Sequence, residues 1–362
     1  MSIATLPLAW RAHLDELASS RRLLSSGHVV KLALPLREVS EAYNSGNFSL
    51  PWTPERLAAR LHFFLPRDQA KVVAALRDVA VPPLWLGEGR ALVIVDVGAG
   101  IGASALGAVR ALRAKGVTRA LSVSLLDSDA VALSVAKDVL ARCDGVRVEV
   151  VTALPDEADL IVFAAVLLEV AAGVTEEAGD GRCVGRLQDA VGRLSPGGRV
   201  VVVEPALRDP TRRLMRVRDR LVAGGVPVLA PCTHVGRCAM LDVKKDWCHD
   251  DLPIDLPVWV QPLARAAGLR WQGLTFARLI LTRQAEPTPS FRVVAPLRDS
   301  RGRKERQLCG AFPDGSTLRW VDRLEKHASA ANAAFGELER GDGLEMAPAE
   351  ARVGVETVVR RG

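Results

Sequence analysis

The stretch LVIVDVGAGIGA, residues 92–103, is the main evidence in this sequence for its fold class. Its first six residues are apolar except for Asp96, a pattern that is typical of a strand buried on both faces of a sheet. Three glycines follow the strand, at Gly98, Gly100 and Gly102. A helical pattern begins near Ser104, so backbone N–H groups and the positive end of a helix meet at this point. The stretch predicts a ligand-binding glycine loop, residues 98–102, at the first strand of an α/β domain.

Strands and helices alternate over the next hundred residues. Further strands are predicted at Leu121 to Leu126, Val146 to Val151, Leu160 to Phe163 and Arg199 to Glu204. Helices are predicted between them, at Ala130 to Arg142 and around Val184 to Leu194. Apolar strands that alternate with helices are covered on both faces, which predicts an α/β fold with a doubly wound parallel sheet.

The whole chain divides into four segments by its pattern. They are a helical region (1–88), an α/β domain with a cysteine-rich insertion at 206–256 (89–284), a small β module with a helix (285–346) and a tail (347–362). In the first segment, Thr53 and Pro54 are a typical helix start, and Asp68 is expected to open the next helix. The last helix is predicted over Asp322 to Glu337, and an arginine-rich helix over Arg208 to Arg220.

Composition and charge exclude several classes of protein. The chain has 362 residues, 49% of them hydrophobic and 25% charged, so it is expected to fold rather than to remain disordered. Its 48 basic residues exceed its 42 acidic ones by six. No stretch approaches the ~20 apolar residues of a membrane span, and the first residues lack the pattern of an export signal. Six cysteines are too few for a disulfide scaffold. We therefore expect a cytoplasmic protein with no membrane partner.

Two acidic residues near the glycine loop indicate which ligand it binds. Asp96 lies two residues before Gly98, where dinucleotide-binding folds usually have an apolar residue. Asp127 ends the second predicted strand, and its two oxygens suit the two hydroxyls of a ribose. The spacing also fits G-x-G-x-x-A, so a dinucleotide site and a purely structural turn remain as alternatives.

Residues 96–102, together with the turn LSPGGR at 194–199, resemble class I S-adenosylmethionine (SAM) methyltransferases. The resemblance implies SAM as a cofactor. The candidate contacts are Asp96, Gly98, Ala99, Gly100, Ile101, Gly102 and Asp127. Many such enzymes carry a polar or Pro-rich sequence after the fourth strand, but here Glu169 is the only polar residue. Catalytic residues therefore stay unknown, and the sequence supports cofactor binding better than turnover.

A second candidate site consists of four cysteines, Cys232, Cys238, Cys248 and Cys309, which we call the cysteine cluster. Four thiolates suit either a tetrahedral zinc or an iron–sulfur cluster. Structural zinc usually has ligand pairs two to four residues apart, whereas the intervals between the first three cysteines are longer and favour an iron–sulfur cluster. His234 and His249 are alternative ligands or hydrogen-bonding neighbours, and unligated cysteines brought together by chance remain the simplest alternative.

The sequence APCTHVGRC at 230–238, with DWCH at 246–249, lies downstream of the methyltransferase-like core. With residues 203–205 (VEP) and the Leu-Cys pair at Cys309, it resembles the Rsm-twenty-two or methyltransferase-like-seventeen family, whose members associate with the small ribosomal subunit of mitochondria and have bacterial relatives. The similarity runs from about Trp52 to Gly343, and we identify the chain as a bacterial member.

This resemblance implies a cofactor set and a role. Cys232, Cys238, Cys248 and Cys309 align with the family's ligands to a [4Fe–4S] cluster, beside a SAM pocket. The implied role is in ribosome biogenesis or translation through contact with the 16S rRNA of the small subunit, and not with DNA. The chain departs from the family at Asp250 and Asp251, where relatives tend to carry aromatic and basic residues, and in residues 335–337, which only loosely match Trp-Gly-Asp.

Two short stretches concentrate the positive charge. Residues 206–220 hold six Arg against two Asp, and residues 291–306 hold six basic residues against two acidic ones. Each stretch has a local charge of +4, so together they exceed the +6 of the chain, which suits contact with phosphates. The candidate RNA contacts are Arg212, Arg213, Arg216, Arg301, Arg303 and Lys304. A solvated helix face with a flexible basic loop is the alternative interpretation.

Three functions are consistent with these patterns. The first is an RNA-binding assembly factor, weakly enzymatic or not enzymatic, with a methyltransferase fold and a [4Fe–4S] cluster. The second is an active SAM-dependent methyltransferase that acts on rRNA or a ribosomal protein. The third is a zinc-stabilised methyltransferase with a small-molecule substrate.

Overall fold

The computed structural model describes residues 4–47 and 50–362. The chain forms two compact units, each assembled from two parts of the sequence. Unit 1 contains residues 1–203 and 253–274, and unit 2 contains residues 204–252 and 275–362. Each unit therefore contains residues from more than one of the predicted segments. The boundaries of those segments stay predictions.

Unit 1 begins with helices, as the sequence predicts for its first segment. They are α1 (Ala9–Ser20), α2 (Val29–Ser45), α3 (Pro54–Ala59) and α4 (Leu65–Ala75), with a π-helical turn, Arg60–Phe64, between α3 and α4. The side chain of Thr53 accepts a hydrogen bond from the backbone N–H of Arg56, so the predicted helix start is confirmed. The prediction that Asp68 opens a helix is wrong, because the backbone is already helical at Leu65.

A five-stranded parallel sheet is the centre of unit 1. Its strands are β1 (Leu92–Val97), β2 (Leu121–Leu126), β3 (Val146–Val150), β4 (Ala158–Ala164) and β5 (Leu194–Glu204). The helices that alternate with them are α5 (Ala103–Ala114), α6 (Ala130–Leu140), α7 (Leu167–Val170) and α8 (Glu176–Gly192). The strand order β3-β2-β1-β4-β5 reverses direction at β1, as in doubly wound folds. The predicted class I methyltransferase-like α/β fold is confirmed.

Unit 2 opens with one long helix and a short, irregular segment that carries three of the cysteines. Its elements before the β module are α9 (Arg208–Ala223), β6 (Val228–Ala230), a 3-10 turn (Ala239–Leu241), β7 (Asp250–Leu252) and β8 (Leu274–Leu281). Strand β8 pairs with β7 and, antiparallel, with β6. The predicted arginine-rich helix is confirmed as α9. Helix α10 (Gln261–Ala267), which precedes β8, belongs to unit 1 and packs on α2.

The rest of unit 2 is a seven-stranded sheet. Its strands are β9 (Phe291–Val293), β10 (Arg298–Ser300), β11 (Arg303–Gly310), β12 (Leu318–Leu324), β13 (Gly343–Ala347), β14 (Arg352–Val353) and β15 (Val358–Arg361). The order is β14-β12-β11-β9-β13-β15, and β10 pairs with β11. Phe291, Val293, Leu308, Val321 and Phe335 lie in its buried core.

Two predictions for this module are wrong. The predicted helix over Asp322 to Glu337 is instead the end of β12 followed by two 3-10 turns, Glu325–His327 and Ala330–Gly336. The extended conformation is favoured because Asp322 forms ion pairs with Arg303 on β11 and Arg352 on β14. The predicted tail contains β14 and β15, which complete the sheet. Within the described ranges, no helix combines the length and the apolar character that crossing a bilayer requires.

Candidate functional site

Asp96 lies inside β1 and has no exposed surface. One carboxylate oxygen, Oδ2, accepts hydrogen bonds from Ser104 Oγ at 2.7 Å and from the N–H of Ala105 at 2.9 Å, at the start of α5. The other oxygen, Oδ1, is buried without a hydrogen-bond partner. Burial raises the pKa of Asp96 to about 7, and the negative charge of Asp127 also raises it. Asp96 therefore fixes the start of α5 relative to β1.

The three glycines of the loop have different surroundings. Gly98 has φ +70°, and a Cβ at this position would lie 2.5 Å from Cγ2 of Val166. A Cβ at Gly102, with φ +84°, would lie 3.0 Å from the Cβ of Ala136. At Gly100, with φ +49°, a Cβ would meet nothing within 4 Å. Gly98 and Gly102 are thus required by close packing, whereas Gly100 borders open space. Ala99 and Ile101, the other two loop candidates, are buried.

Asp127 contacts this loop directly. Its Oδ2 accepts a hydrogen bond from the N–H of Gly100 at 2.8 Å, and its Oδ1 accepts one from the N–H of Asp129 at 2.9 Å. Asp129 in turn caps α6 through the N–H of Ala132 and accepts a hydrogen bond from Nε1 of Trp52. A carboxylate oxygen accepts more than one hydrogen bond, so Asp127 keeps acceptor capacity for ribose hydroxyls.

Arg60, in the π-helical turn, lies on the same side of unit 1 as Asp127 and Glu169. Its guanidinium stacks on the rings of Trp52 and Tyr43 at 4.6 and 5.1 Å from the ring centroids. Desolvation and then the charge of Asp127 raise the pKa of Glu169, while Arg60 lowers it. Arg60 was not recognisable from the sequence as a residue near the glycine loop, because a single arginine in an amphipathic helix has the pattern of an ordinary surface residue.

The segment after β4 shows no group with an evident catalytic role. Glu169 lies in the short helix α7 and is exposed, as expected of a helix-surface residue. Ala165, between β4 and α7, has φ +55°, a conformation that is rare for residues other than glycine. Its N–H donates to the carbonyl of Val203. Strain of this kind is common near functional sites, but it supplies no acid, base or nucleophile.

The four cysteines of the cysteine cluster come together in unit 2. Cys238 is part of a buried apolar cluster with Met215, and Cys248 and Cys309 pack against it. Cys309 lies on β11, and Thr233, next to Cys232, donates from Oγ1 to its carbonyl at 3.1 Å. Each of the six possible pairs among the four cysteines interacts electrostatically. Cys309 therefore lies near the other three cysteines, although it follows Cys248 by 61 residues in sequence.

The surroundings of Cys238, Cys248 and Cys309 favour the protonated form of these three thiols. Burial raises the pKa of Cys309 to about 12, with Cys248 and Cys232 contributing. Burial and then the neighbouring cysteines also raise the pKa of Cys238, and burial raises that of Cys248. A metal ion or cluster reverses this effect, because it binds thiolates and displaces their protons.

The donor set of the cysteine cluster consists of four thiols. Four cysteine sulfurs are the donors that both a tetrahedral zinc and a [4Fe–4S] cluster use, so the residue types fit either group. In residues 4–47 and 50–362, no three His, Cys, Asp or Glu side chains converge closely enough to hold one metal ion.

Helix α9 holds the backbone around Cys238 through residues that sequence reasoning missed. Arg218 is buried, donates to the carbonyls of His234 and Gly236, and forms an ion pair with Asp219 at 2.7 Å. Both carboxylate oxygens of Asp219 accept the N–H of Cys238, at 3.0 and 3.1 Å. A signal existed in the sequence, because Arg218 falls on the apolar face of the helix, one turn from Leu214.

The two histidines near the cluster are hydrogen-bonding neighbours in this structure. Nε2 of His234 lies 3.4 Å from Sγ of Cys309. Burial, followed by the charge of Arg218, lowers the pKa of His234 and favours its neutral form. Nδ1 of His249 contacts the carbonyl of Trp247 at 2.9 Å.

Asp250, one of the departures from the family pattern, is fully buried. Its Oδ2 forms ion pairs with Arg292 at 3.0 Å and with Arg278 at 3.4 Å. This acidic residue is therefore an internal partner of two arginines.

The candidate RNA contacts divide into internal and exposed residues. Arg212 donates to the carbonyls of Leu241 and Val243, so its guanidinium supports the segment after Cys238. Arg303 pairs with Glu305 and Asp322, and Lys304 with Asp299. Arg213 and Arg216 also have partners, and only Arg301, which is exposed, has no recorded partner among the described residues. The surface therefore carries less free positive charge than the sequence count suggests.

Residues 65–316 match the family described as mitochondrial small ribosomal subunit Rsm22. The match spans 252 of the 362 residues and includes the glycine loop and all four cysteines of the cluster. The chain belongs to this family. The predicted resemblance to this family is thereby confirmed, and so is a relation to the small ribosomal subunit through the family, whereas the bacterial origin stays a prediction.

The similar solved structures include three that are described as a methyltransferase or methylase. A SAM-dependent methyltransferase of Leishmania major is 16% identical, with 66% of this chain and 82% of that chain covered and a TM-score of 0.36. A ribosomal protein L11 methylase of Lactobacillus delbrueckii is 16% identical over 47% and 74% of the two chains, with a TM-score of 0.31. An rRNA methylase of Streptococcus thermophilus is 11% identical over 60% and 96%, with a TM-score of 0.29. Nothing about the substrate of this chain follows from likenesses at this level. No curated protein matches the chain.

Proposed function

We propose that this protein binds SAM in unit 1 and a [4Fe–4S] cluster in unit 2, and that it acts in assembly or translation of the small ribosomal subunit through contact with rRNA. The observation that carries the proposal is the approach of Cys309 to Cys232, Cys238 and Cys248 across 77 positions of sequence. Membership of the family supports the ribosomal role. Location in the cytoplasm stays a prediction.

The cysteine cluster would hold the inorganic core through four thiolates, with Cys232, Cys238, Cys248 and Cys309 as ligands. When bound, the core supplies a rigid cross-link among four separate segments and one-electron redox chemistry. The chain's own residues prepare the site: α9 fixes the N–H of Cys238 through Asp219, and Thr233 joins the first cysteine segment to β11.

Purification without oxygen tests the cluster. We expect brown protein with a broad absorbance near ~400 nm and equal amounts of bound iron and acid-labile sulfide. Cys309→Ser should lose both, whereas Cys183→Ser should keep them, because Cys183 is buried in α8 and donates to the carbonyl of Leu167. Colourless protein with one bound zinc would reject the cluster and favour a zinc-stabilised methyltransferase with a small-molecule substrate.

Calorimetric titration tests the SAM site. Gly100 borders open space and its N–H is held by Asp127, so Gly100→Arg should fill that space and abolish SAM binding. Gly116→Arg is the matched control, since Gly116 also has a positive φ and open surroundings but follows α5 at the opposite end from the loop. SAM binding that survives Gly100→Arg would reject the glycine loop as the site.

Two assays separate the assembly role from methyl transfer. Cosedimentation with small ribosomal subunits at increasing salt should show binding that weakens as salt rises, as phosphate contact requires. Incubation of those subunits with radiolabelled SAM should transfer no label, because Glu169, the one polar residue of the segment after β4, is exposed on the surface of α7. Incorporation of label into rRNA or a ribosomal protein would favour the active methyltransferase instead.

A further inference from the structure

Arg292 is a buried arginine whose hydrogen-bonding capacity is only partly used. It lies on β9, directly opposite Cys309 of β11 in the antiparallel register. Its side chain is 4% exposed, and Nη2 donates to Oδ2 of Asp250 at 3.0 Å. Nε and Nη1 are buried and have no hydrogen-bond partner within residues 4–47 and 50–362. Buried guanidinium N–H groups without acceptors are strongly unfavourable, so their position requires an explanation.

The unused donors lie beside the cysteine cluster. Arg292 interacts electrostatically with Cys232, Cys248 and Cys309. Its positive charge lowers the pKa of Cys248 and of Cys309, so it favours their thiolate forms against the effect of burial. Three of the four candidate ligands therefore share this cation as a neighbour, although none of them accepts a hydrogen bond from it.

We infer that Arg292 is a further residue of the cofactor site, whose Nε–H and Nη1–H donate to sulfur atoms of the bound [4Fe–4S] cluster. The inference rests on the proposed function, since it requires the cluster to be present. Asp250 fixes the guanidinium by accepting its third donor. The planar fork of an arginine, with one edge on a carboxylate and the remaining N–H groups free, suits this arrangement better than a lysine would.

A consequence is that Arg292 sets the reduction potential of the cluster. Four thiolates make the ligated cluster anionic, and the addition of one electron increases that negative charge. A buried cation that also donates hydrogen bonds to sulfur stabilises the reduced form more than the oxidised form. Removal of Arg292 should therefore shift the potential to more negative values.

The test is an anaerobic redox titration of the reconstituted full-length protein with dithionite, followed by electron paramagnetic resonance. Arg292→Gln removes the charge, and Arg292→Lys keeps the charge but loses the fork. Arg306→Gln is the matched control, because Arg306 is also buried in unit 2 but donates to the carbonyls of Phe335 and Gly336.

We expect the equilibrium constant for one-electron reduction to fall about tenfold in Arg292→Gln, which is ~59 mV, and by less in Arg292→Lys. Arg306→Gln should keep the wild-type potential. If Arg292→Gln fails to retain iron, the potential of Arg292→Lys tests the inference, and a value more negative than that of the wild type supports it. Loss of iron in both Arg292 variants with retention in Arg306→Gln would also support the inference.

Other outcomes overturn it. Potentials of both Arg292 variants equal to that of the wild type, or a shift of the same size in Arg306→Gln, would show that Arg292 serves only Asp250. Iron loss in all three variants would show that any buried arginine of unit 2 matters equally. A wild-type protein without iron and sulfide would instead reject the proposed function, which keeps the two failures distinguishable.

Discussion

The glycine loop of unit 1 is formed by consecutive residues, whereas the cysteine cluster of unit 2 gathers thiols from positions up to 77 residues apart. The loop is positioned by regular secondary structure, since Gly98 and Ala99 donate to the carbonyl of Leu126 at the end of β2. The segment that carries the first three cysteines has little regular structure and is positioned by side chains, chiefly those of α9.

The two sites therefore depend on different kinds of structural support. A loop at the end of a parallel sheet keeps its shape because the strands on either side are buried. A cysteine segment without such support depends on a few buried polar contacts, each of which has a large individual effect. Loss of one contact should therefore damage the cysteine cluster more than the loop.

The largest expected effect is that of Arg218→Gln. This change removes a buried ion pair with Asp219 and donors to two loop carbonyls, so we expect unfolding of the apo protein to become easier by about 3–5 kcal/mol. Arg237→Gln removes an exposed ion pair of the same segment, with Asp242, and should change the stability far less, because solvent screens that pair. Urea unfolding measures both. Equal effects would show that α9 does not hold the cysteine segment.

Asp96 gives the second largest effect, which appears as a dependence on pH. Its folded pKa of about 7 exceeds the ordinary value of 3.8, so between these values the folded state binds more protons than the unfolded state. The free energy of unfolding should therefore fall as pH rises from about 4 to 7, by on the order of 3 kcal/mol from this group.

Asp96→Asn tests this dependence, because an amide does not titrate. The amide oxygen takes the place of Oδ2 as the acceptor from Ser104 and Ala105, so the variant should fold and show a flatter profile of unfolding free energy against pH. The comparison uses denaturant unfolding at several pH values between 5 and 8. An unchanged slope would mean that Asp96 is ionised throughout this range in the folded protein.

The third effect is a difference in the stability lost when either of two glycines of the same loop is changed to alanine. Gly98→Ala places a Cβ 2.5 Å from Val166 in addition to a positive φ, so we expect a loss of about 2 kcal/mol. Gly100→Ala meets no neighbour and should lose only about 1 kcal/mol from its positive φ. Thermal unfolding ranks the two. A larger loss in Gly100→Ala would contradict the assignment of its surroundings as open space.

Regular elements of this chain were predictable, and the contacts that complete the sites were not. The periodicity of residues 92–204 predicted all five strands of the unit 1 sheet and their parallel arrangement, since most of these strands are apolar on both faces, although β3 alternates apolar and charged residues. The grouping of the cysteines followed from a family resemblance rather than from spacing. Arg218 and Arg292 escaped notice because a count of charges does not distinguish a buried arginine from an exposed one.

The same limit explains the wrong helix at residues 322–337. Ala and polar residues dominate this stretch and favour a helix locally. Ion pairs of Asp322 with β11 and β14 and the burial of Phe335 in the module core override that preference. Contacts between residues distant in sequence decided the structure here, as they did at the cysteine cluster.

The smallest expected effect concerns the exposed cations of unit 2. Arg301 lies in the turn between β10 and β11 and is exposed, whereas Arg303 is shared with Glu305 and Asp322. If both face rRNA, Arg301→Gln should reduce the slope of log affinity against log salt by about 0.7–0.9, the value for one lost phosphate contact. Arg303→Gln should reduce the slope less, because Glu305 and Asp322 compete with a phosphate for the guanidinium of Arg303. Binding of small subunits at several salt concentrations measures both slopes, and a slope unchanged by Arg301→Gln would place the rRNA contact elsewhere on the protein.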